Sequence, residues 1–142
     1  MRVNFPTPKR GTGSDPSWIN SMIWVWPLIV PGNPIPLARH RFSRSGGQYL
    51  PQKSQAYRDW LHLHFVRLVN RRSPYEGMVQ CYLKFYRDSK SNSDLDNLVK
   101  AIFDAANNIL WKDDGQVVFF QASKYYDKKH PRLELTILPY AL

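Results

Sequence analysis

The sequence predicts an α+β fold in which a single mixed β-sheet packs against two helices, in the order β-α-β-α-β-β. Three observations predict it. Apolar residues alternate from Val79 to Phe85 with period two. Apolar residues recur at spacings of three and four in two separate stretches, around Leu61 and around Ile102. Two further strand-like segments close the chain, "QVVFFQASKYYD" and "RLELTILPY". A period of two places one strand face on a core, whereas spacings of three and four place one helix stripe there.

Residues 1–20 mix Pro, Gly, Ser and Asn without an apolar period, so they are read as an N-terminal arm with no assigned fold, ahead of one domain over 21–142. Met22 marks where strand character begins and is a second possible start of the chain. From Ile23, "IWVWPLIV" suits a pleated surface and "PGNPIP" ends it, which predicts the first strand. "RHRFSRSGGQYLP" sets Gly46 and Gly47 between two short extended pieces, the chemistry of a tight hairpin and hence of a mobile basic finger. In "SQAYRDWLHLHFVRLVN", Tyr57, Trp60, Leu61, His64, Phe65 and Leu68 form the apolar stripe of a first helix. "MVQCYLKFYRD" turns Val79, Cys81, Leu83 and Phe85 to one side of a strand. Leu95, Leu98, Val99, Ile102, Phe103, Ala106, Ile109 and Leu110 give the second helix. The last two strands, separated by the polar "DKKHP" turn, are expected to pair as an antiparallel hairpin.

A chain of 142 residues suits one core, and no run approaches the roughly 18–20 apolar residues of a bilayer span. The lone Cys81 excludes an intrachain disulfide framework or a thiolate zinc site and fits a reducing, cytoplasmic setting. A formal net charge of +9 points to a polyanionic partner, since phosphates bound by Lys and Arg release condensed counterions. Between residues 39 and 72, Arg39, Arg41, Arg44, Lys53, Arg58, Arg67, Arg71 and Arg72 face the single acid Asp59, which makes this half the expected phosphate contact. These residues lie in a hairpin and in a helix that also buries a core face. The amphipathic surface of a membrane-bound protein is therefore missing, and DNA is favoured over a membrane. Phe42 and Tyr49, beside the glycine turn, suit stacking on unpaired bases and packing in a core equally well. His62 and His64 have no companions that would complete a metal site.

Against this charge, residues 93–118 gather five of the eleven carboxylates: Asp94, Asp96, Asp104, Asp113 and Asp114. Acids at a helix start commonly cap backbone N–H groups, worth about 0.3–1 kcal/mol each, so Asp94 and Asp96 alone read first as caps. Lys100 and Asp104 extend the helix face at i,i+4 spacing, as a salt-bridge ladder also would. Asp113-Asp114 is the less usual feature, because adjacent like charges repel where a bend leads into an apolar strand. A hard cation such as Mg²⁺, with Mn²⁺ as its substitute, takes carboxylate oxygens and leaves positions for water and phosphate. Asp94, Asp96 and one of the 113/114 pair meet that demand.

The string "DLDNLVKAIFDA", followed by "WKDD" and "QVV", resembles the D-L-D-N-x-x-K-x-x-x-D-A and D-D-x-Q-V-V pattern of the RusA-type Holliday-junction resolvases. "GNPIPLARHRFSRSGGQYLPQKSQAYRDW" is similar to that family's looser N-terminal half, although Ala38 and His40 stand where many members carry Lys and Pro. The resemblance runs from about residue 23 to 137. It implies a Mg²⁺-dependent endodeoxyribonuclease, dimeric, that resolves four-way DNA junctions by paired symmetric nicks. It implies Asp94, Asp96 and Asp114 as catalytic metal ligands, Lys100 as the catalytic lysine, and Asp113 as a further acid of less defined role. The second helix and the aromatic strands, with Trp111, Phe119 and Phe120, are the expected dimer interface. Two other readings compete: a metal nuclease of the same fold acting on flaps, forks or replication intermediates, and a non-enzymatic basic DNA-binding module whose acids are caps.

Overall fold

The computed structural model describes residues 27–39 and 41–140. The arm over 1–20, and residues 23–26 of the expected first strand, lie outside the described residues. In chain order the elements are β1 (Leu28–Pro31), β2 (Arg41–Phe42), β3 (Gln48–Tyr49), α1 (Gln52–Val69), β4 (Val79–Arg87), α2 (Leu95–Ala106), a 3₁₀ turn (Asp114–Gln116), β5 (Val117–Tyr126) and β6 (Arg132–Pro139). A four-stranded mixed sheet runs β1-β6-β4-β5, and β2 with β3 forms a separate hairpin. The predicted α+β class, with one mixed sheet and two helices, is the observed one.

The expected β5–β6 hairpin is not formed. β6 pairs antiparallel with both β1 and β4, while β5 pairs parallel with β4, so β4 lies between them. The reason is the crossover. α2 carries the chain from the end of β4 back to its beginning, where Val117 pairs with Val79, and β5 must then run alongside β4. Burial assigns the places in the sheet. β4 and β6 turn Cys81, Leu83 and Phe85 with Leu133, Leu135 and Ile137 toward the helices and take the centre. β5 has no fully buried residue and takes the edge.

α1 buries Tyr57, Leu61, Phe65 and Val69. Trp60, expected in its stripe, is 40% exposed and donates its indole N–H to the Pro31 carbonyl at 2.6 Å, with His64 edge-on to its ring. The helix closes on Asn70, whose φ of 46° is left-handed and whose N–H returns to Val66 O. α2 stops at Ala106, short of the expected Leu110. Asn108 turns to a φ of 64°, and the N–H groups of Ile109 and Leu110 both reach the Ala106 carbonyl. The apolar period outlasts the helix because this turn still buries Leu110 and Trp111 fully.

Trp111 is therefore a core residue and not the interface residue expected. Its ring meets Phe103 edge-on at 5.6 Å, and its N–H is held by Asn107 Oδ1 at 2.8 Å. The Cys81 thiol is buried, which pushes its pKa up to about 12. Among the described residues no helix is long and apolar enough to cross a membrane. Phe85 is fully enclosed between sheet and helices. Phe85→Ala should cost about 3–5 kcal/mol, read as a fall in the urea midpoint at unchanged slope.

Candidate active site

β4 delivers the chain to the polar loop 88–93, and α2 begins one residue later with Asp94 as its N-cap, at φ −68° and ψ 125°. The capping role open to Asp94 is not taken up, for its side chain accepts no cap hydrogen bond. Among the described residues, Asp94 Oδ2 instead meets only the Asn97 amide, at 3.4 Å, while Asp96 Oδ1 accepts the Asn97 backbone N–H at 2.9 Å. Both carboxylates are exposed at the positive end of the helix dipole. Lys100, one turn on, is exposed as well and forms no ion pair within the described residues, so the ladder through Asp96, Lys100 and Asp104 is absent. Asp104 lines a small cavity between α1 and α2 together with Tyr57 and Arg58.

The second acidic pair divides by role. Asp113 Oδ2 accepts the Gly115 N–H at 2.9 Å and forms a capping box with Gln116. Asp114 is half-buried, and among the described residues its carboxylate makes no hydrogen bond or ion pair. Gln116, which opens the "QVV" string, ties the turn together. Its Oε1 accepts from the Lys112 and Asp113 N–H groups, and its Nε2 donates to the Tyr75 and Gly77 carbonyls at 2.7 and 2.8 Å. Gln116→Ala strands these backbone groups and should cost about 1–3 kcal/mol, checked by thermal melting, with Asp114 losing its fixed place.

The two acidic pairs stand at opposite ends of the fold. Asp94 follows Ser93, which Arg87 and Lys124 hold at the far end of β4 and β5. Asp114 precedes Val117, which pairs with Val79 at the near end. A nine-residue strand covers about 26 Å and a twelve-residue helix about 18 Å, so Asp114 is on the order of 20 Å from Asp94 and Asp96 of its own chain. Among the described residues no three His, Cys, Asp or Glu side chains gather where they could hold a metal ion. The structure thus brings Asp94 and Asp96 to one helix start, with Lys100 a turn away, and leaves Asp114 apart. An exposed pair of carboxylates, of which Asp94 makes no cap bond and Asp96 gives one oxygen to the Asn97 N–H, offers hard oxygens that suit a Mg²⁺ with waters or phosphate in its remaining positions.

The basic residues fall on the finger, on α1 and on the segments that flank them. Arg39, Arg41, Arg44, Lys53, Arg67, Arg71 and Arg72 are exposed, whereas Arg58 is half-buried with its Nε enclosed beside the α1–α2 cavity. In the finger, Arg41 pairs with Tyr49 and Phe42 with Gln48, and Gly46 supplies the turn at a φ of 87°. Phe42 and Tyr49 are 71% and 47% exposed, which removes the core alternative for both. Burial first, then the charges of Arg58 and Arg67 respectively, lower the pKa values of His62 and His64, so both are neutral near pH 7.

Residues 31–138 match the family model described as Endodeoxyribonuclease RusA. The chain is 34% identical over 110 residues to the crossover junction endodeoxyribonuclease RusA of Shigella sonnei, covering 73% of this chain and 88% of that protein. Identity and coverage are the same for the enzyme of that name from Enterobacteria phage 82. It is also 32% identical over 137 residues to the uncharacterized protein YqaN of Bacillus subtilis, covering 78% of this chain and 93% of that one.

Proposed function

The chain belongs to the endodeoxyribonuclease RusA family, and from that premise we propose that it is a Mg²⁺-dependent nuclease that resolves four-way DNA junctions. The observation that carries the proposal is the exposed pair Asp94 and Asp96 at the start of α2, Asp94 making no cap bond, with Lys100 one turn beyond. These carboxylates would hold the ion, and a bound Mg²⁺ supplies Lewis acidity toward the phosphate together with an acidified water. Mn²⁺ offers the same hard-acceptor chemistry.

The protein's own groups do the rest. Lys100 brings its ammonium to the negative charge that grows on the phosphate during in-line displacement. Arg39, Arg41, Arg44 and Lys53, with Arg67, Arg71 and Arg72, hold the DNA backbone without reading its sequence. Phe42 and Tyr49 project from the finger, where stacking on bases unpaired at the branch is worth about 1–3 kcal/mol per base.

Asp114 enters from a second copy. Its distance from Asp94 and Asp96 forbids a shared ion within one chain, while a two-fold dimer whose axis crosses α2 would bring the far end of one copy's α2 to the near end of the other's. β5 supports such a contact, being a sheet edge with Val118, Phe119 and Phe120 about half exposed and with Phe120 against Phe103 of α2. Two sites related by symmetry then face opposed strands of a four-way junction and nick both. The testing experiment incubates the protein with four-way, flap, linear and single-stranded DNA, with and without Mg²⁺. Paired symmetric nicks confined to the junction and requiring Mg²⁺ are expected. Cleavage of flaps in preference to junctions would reassign the substrate, and binding without cleavage would leave a basic DNA-binding module.

A further inference from the structure

Arg87 ends β4 with its side chain on the helix-facing side and is only 8% exposed. An enclosed guanidinium needs acceptors, and those it finds are neutral: the Pro34 carbonyl and Ser91 Oγ at 3.2 Å each, and Ser93 Oγ. On the neighbouring strand, Lys124 sits opposite Phe85, on the same side of the sheet, and extends its Nζ to the Ser93 carbonyl at 2.6 Å. Two cations from two parallel strands thus converge on one residue, from its side chain and from its backbone. That residue is directly followed by Asp94.

Ordering a long Lys side chain costs up to about 2 kcal/mol of rotamer freedom, so a Lys that served merely to guard an exposed sheet edge would gain by staying free. The contact across 31 residues of sequence instead fixes where loop 88–93 ends and α2 begins. We propose that Arg87 and Lys124 are positioning residues of the active site, clamping Ser93 so that the extended Asp94 and the helical Asp96 present their carboxylates to one ion. The inference rests on the metal-nuclease reading above and adds to it the groups that hold the ligand pair in place.

The test compares Lys124→Met, Lys124→Arg and Ser93→Ala with wild type, and uses Arg87→Lys in place of a truncation that would unsettle the core. Four quantities are read: the melting temperature, calorimetric Mg²⁺ binding to DNA-free protein, the Mg²⁺ concentration at half-maximal junction cleavage, and junction binding in EDTA. Loss of a group that orients a metal ligand weakens metal affinity about 10–100-fold. Lys124→Met and Ser93→Ala should raise both Mg²⁺ measures by about tenfold. Junction binding in EDTA should stay within about twofold of wild type for both, and Lys124→Arg should restore most of the metal response. Unchanged Mg²⁺ measures in Lys124→Met and Ser93→Ala would overturn the inference alone. So would a loss of metal-free junction binding in Lys124→Met as large as its loss of cleavage, which would make Lys124 a phosphate contact. A wild type that neither binds Mg²⁺ nor cleaves would overturn the nuclease reading and this inference with it.

Discussion

Asp94→Asn and Asp96→Asn should each reduce junction cleavage by at least about 10²–10³-fold, the scale of removing one preorganised electrostatic group from an active site. The substitution keeps shape and deletes charge. Neither carboxylate is enclosed, and Asn at position 94 still offers an oxygen to the Asn97 amide that now meets Asp94 Oδ2. Melting should therefore move little. Binding should move the other way from cleavage: removing a negative charge beside the phosphate backbone leaves junction affinity in EDTA equal or slightly higher. Single-turnover cleavage in Mg²⁺ and band shifts in EDTA read the two effects separately. Parallel loss of both would mean that the acids support the fold and not the ion. Asp113→Asn is the control, since Asp113 is occupied in capping the turn, and its main effect should fall on stability.

The second large effect is a recovery. Asp94→Asn and Asp114→Asn should each be inactive alone, and mixing the two after subunit exchange should restore strand cleavage. If each ion site combines the Asp94 and Asp96 of one copy with the Asp114 of another, a mixed dimer carries one site with both substitutions and one with neither. Random assortment makes about half of the dimers mixed, so about a quarter of the wild-type sites return, as single nicks instead of paired ones. The distance of Asp114 from the other two acids is the ground for this expectation, because a metal's inner sphere spans only about 2.0–2.6 Å per ligand. A mixture as dead as its components would place all three acids in one copy and require α2 to rearrange. Nicking assays on a junction with one labelled strand distinguish the outcomes.

Local periodicity carried most of the fold. The alternation from Val79 to Phe85 and the three-and-four spacing from Leu95 onward survive because strand and helix geometry turn sequence spacing directly into a buried face. Alternation states which side chains share a face and says nothing about which strand lies alongside. That is why β5 and β6, adjacent in sequence, were expected as a hairpin while β4 separates them. Trp111 went the same way: it was expected at a dimer interface, and the turn at Asn107 and Asn108 rotates it into the core.

The site shows the same division. The sequence by itself determined which carboxylates open α2, which lysine follows a turn later, and which half of the chain is basic, because residue type and helical spacing are local properties. Only the tertiary structure decided the distances. The crossover through α2 sends Asp114 to the opposite end of the sheet, commits Asp113 to Gly115 and Gln116, and brings Lys124 and Arg87 onto Ser93. These are contacts between segments far apart in the chain, set by which strands hydrogen-bond to which. No period or motif in the sequence encodes that choice.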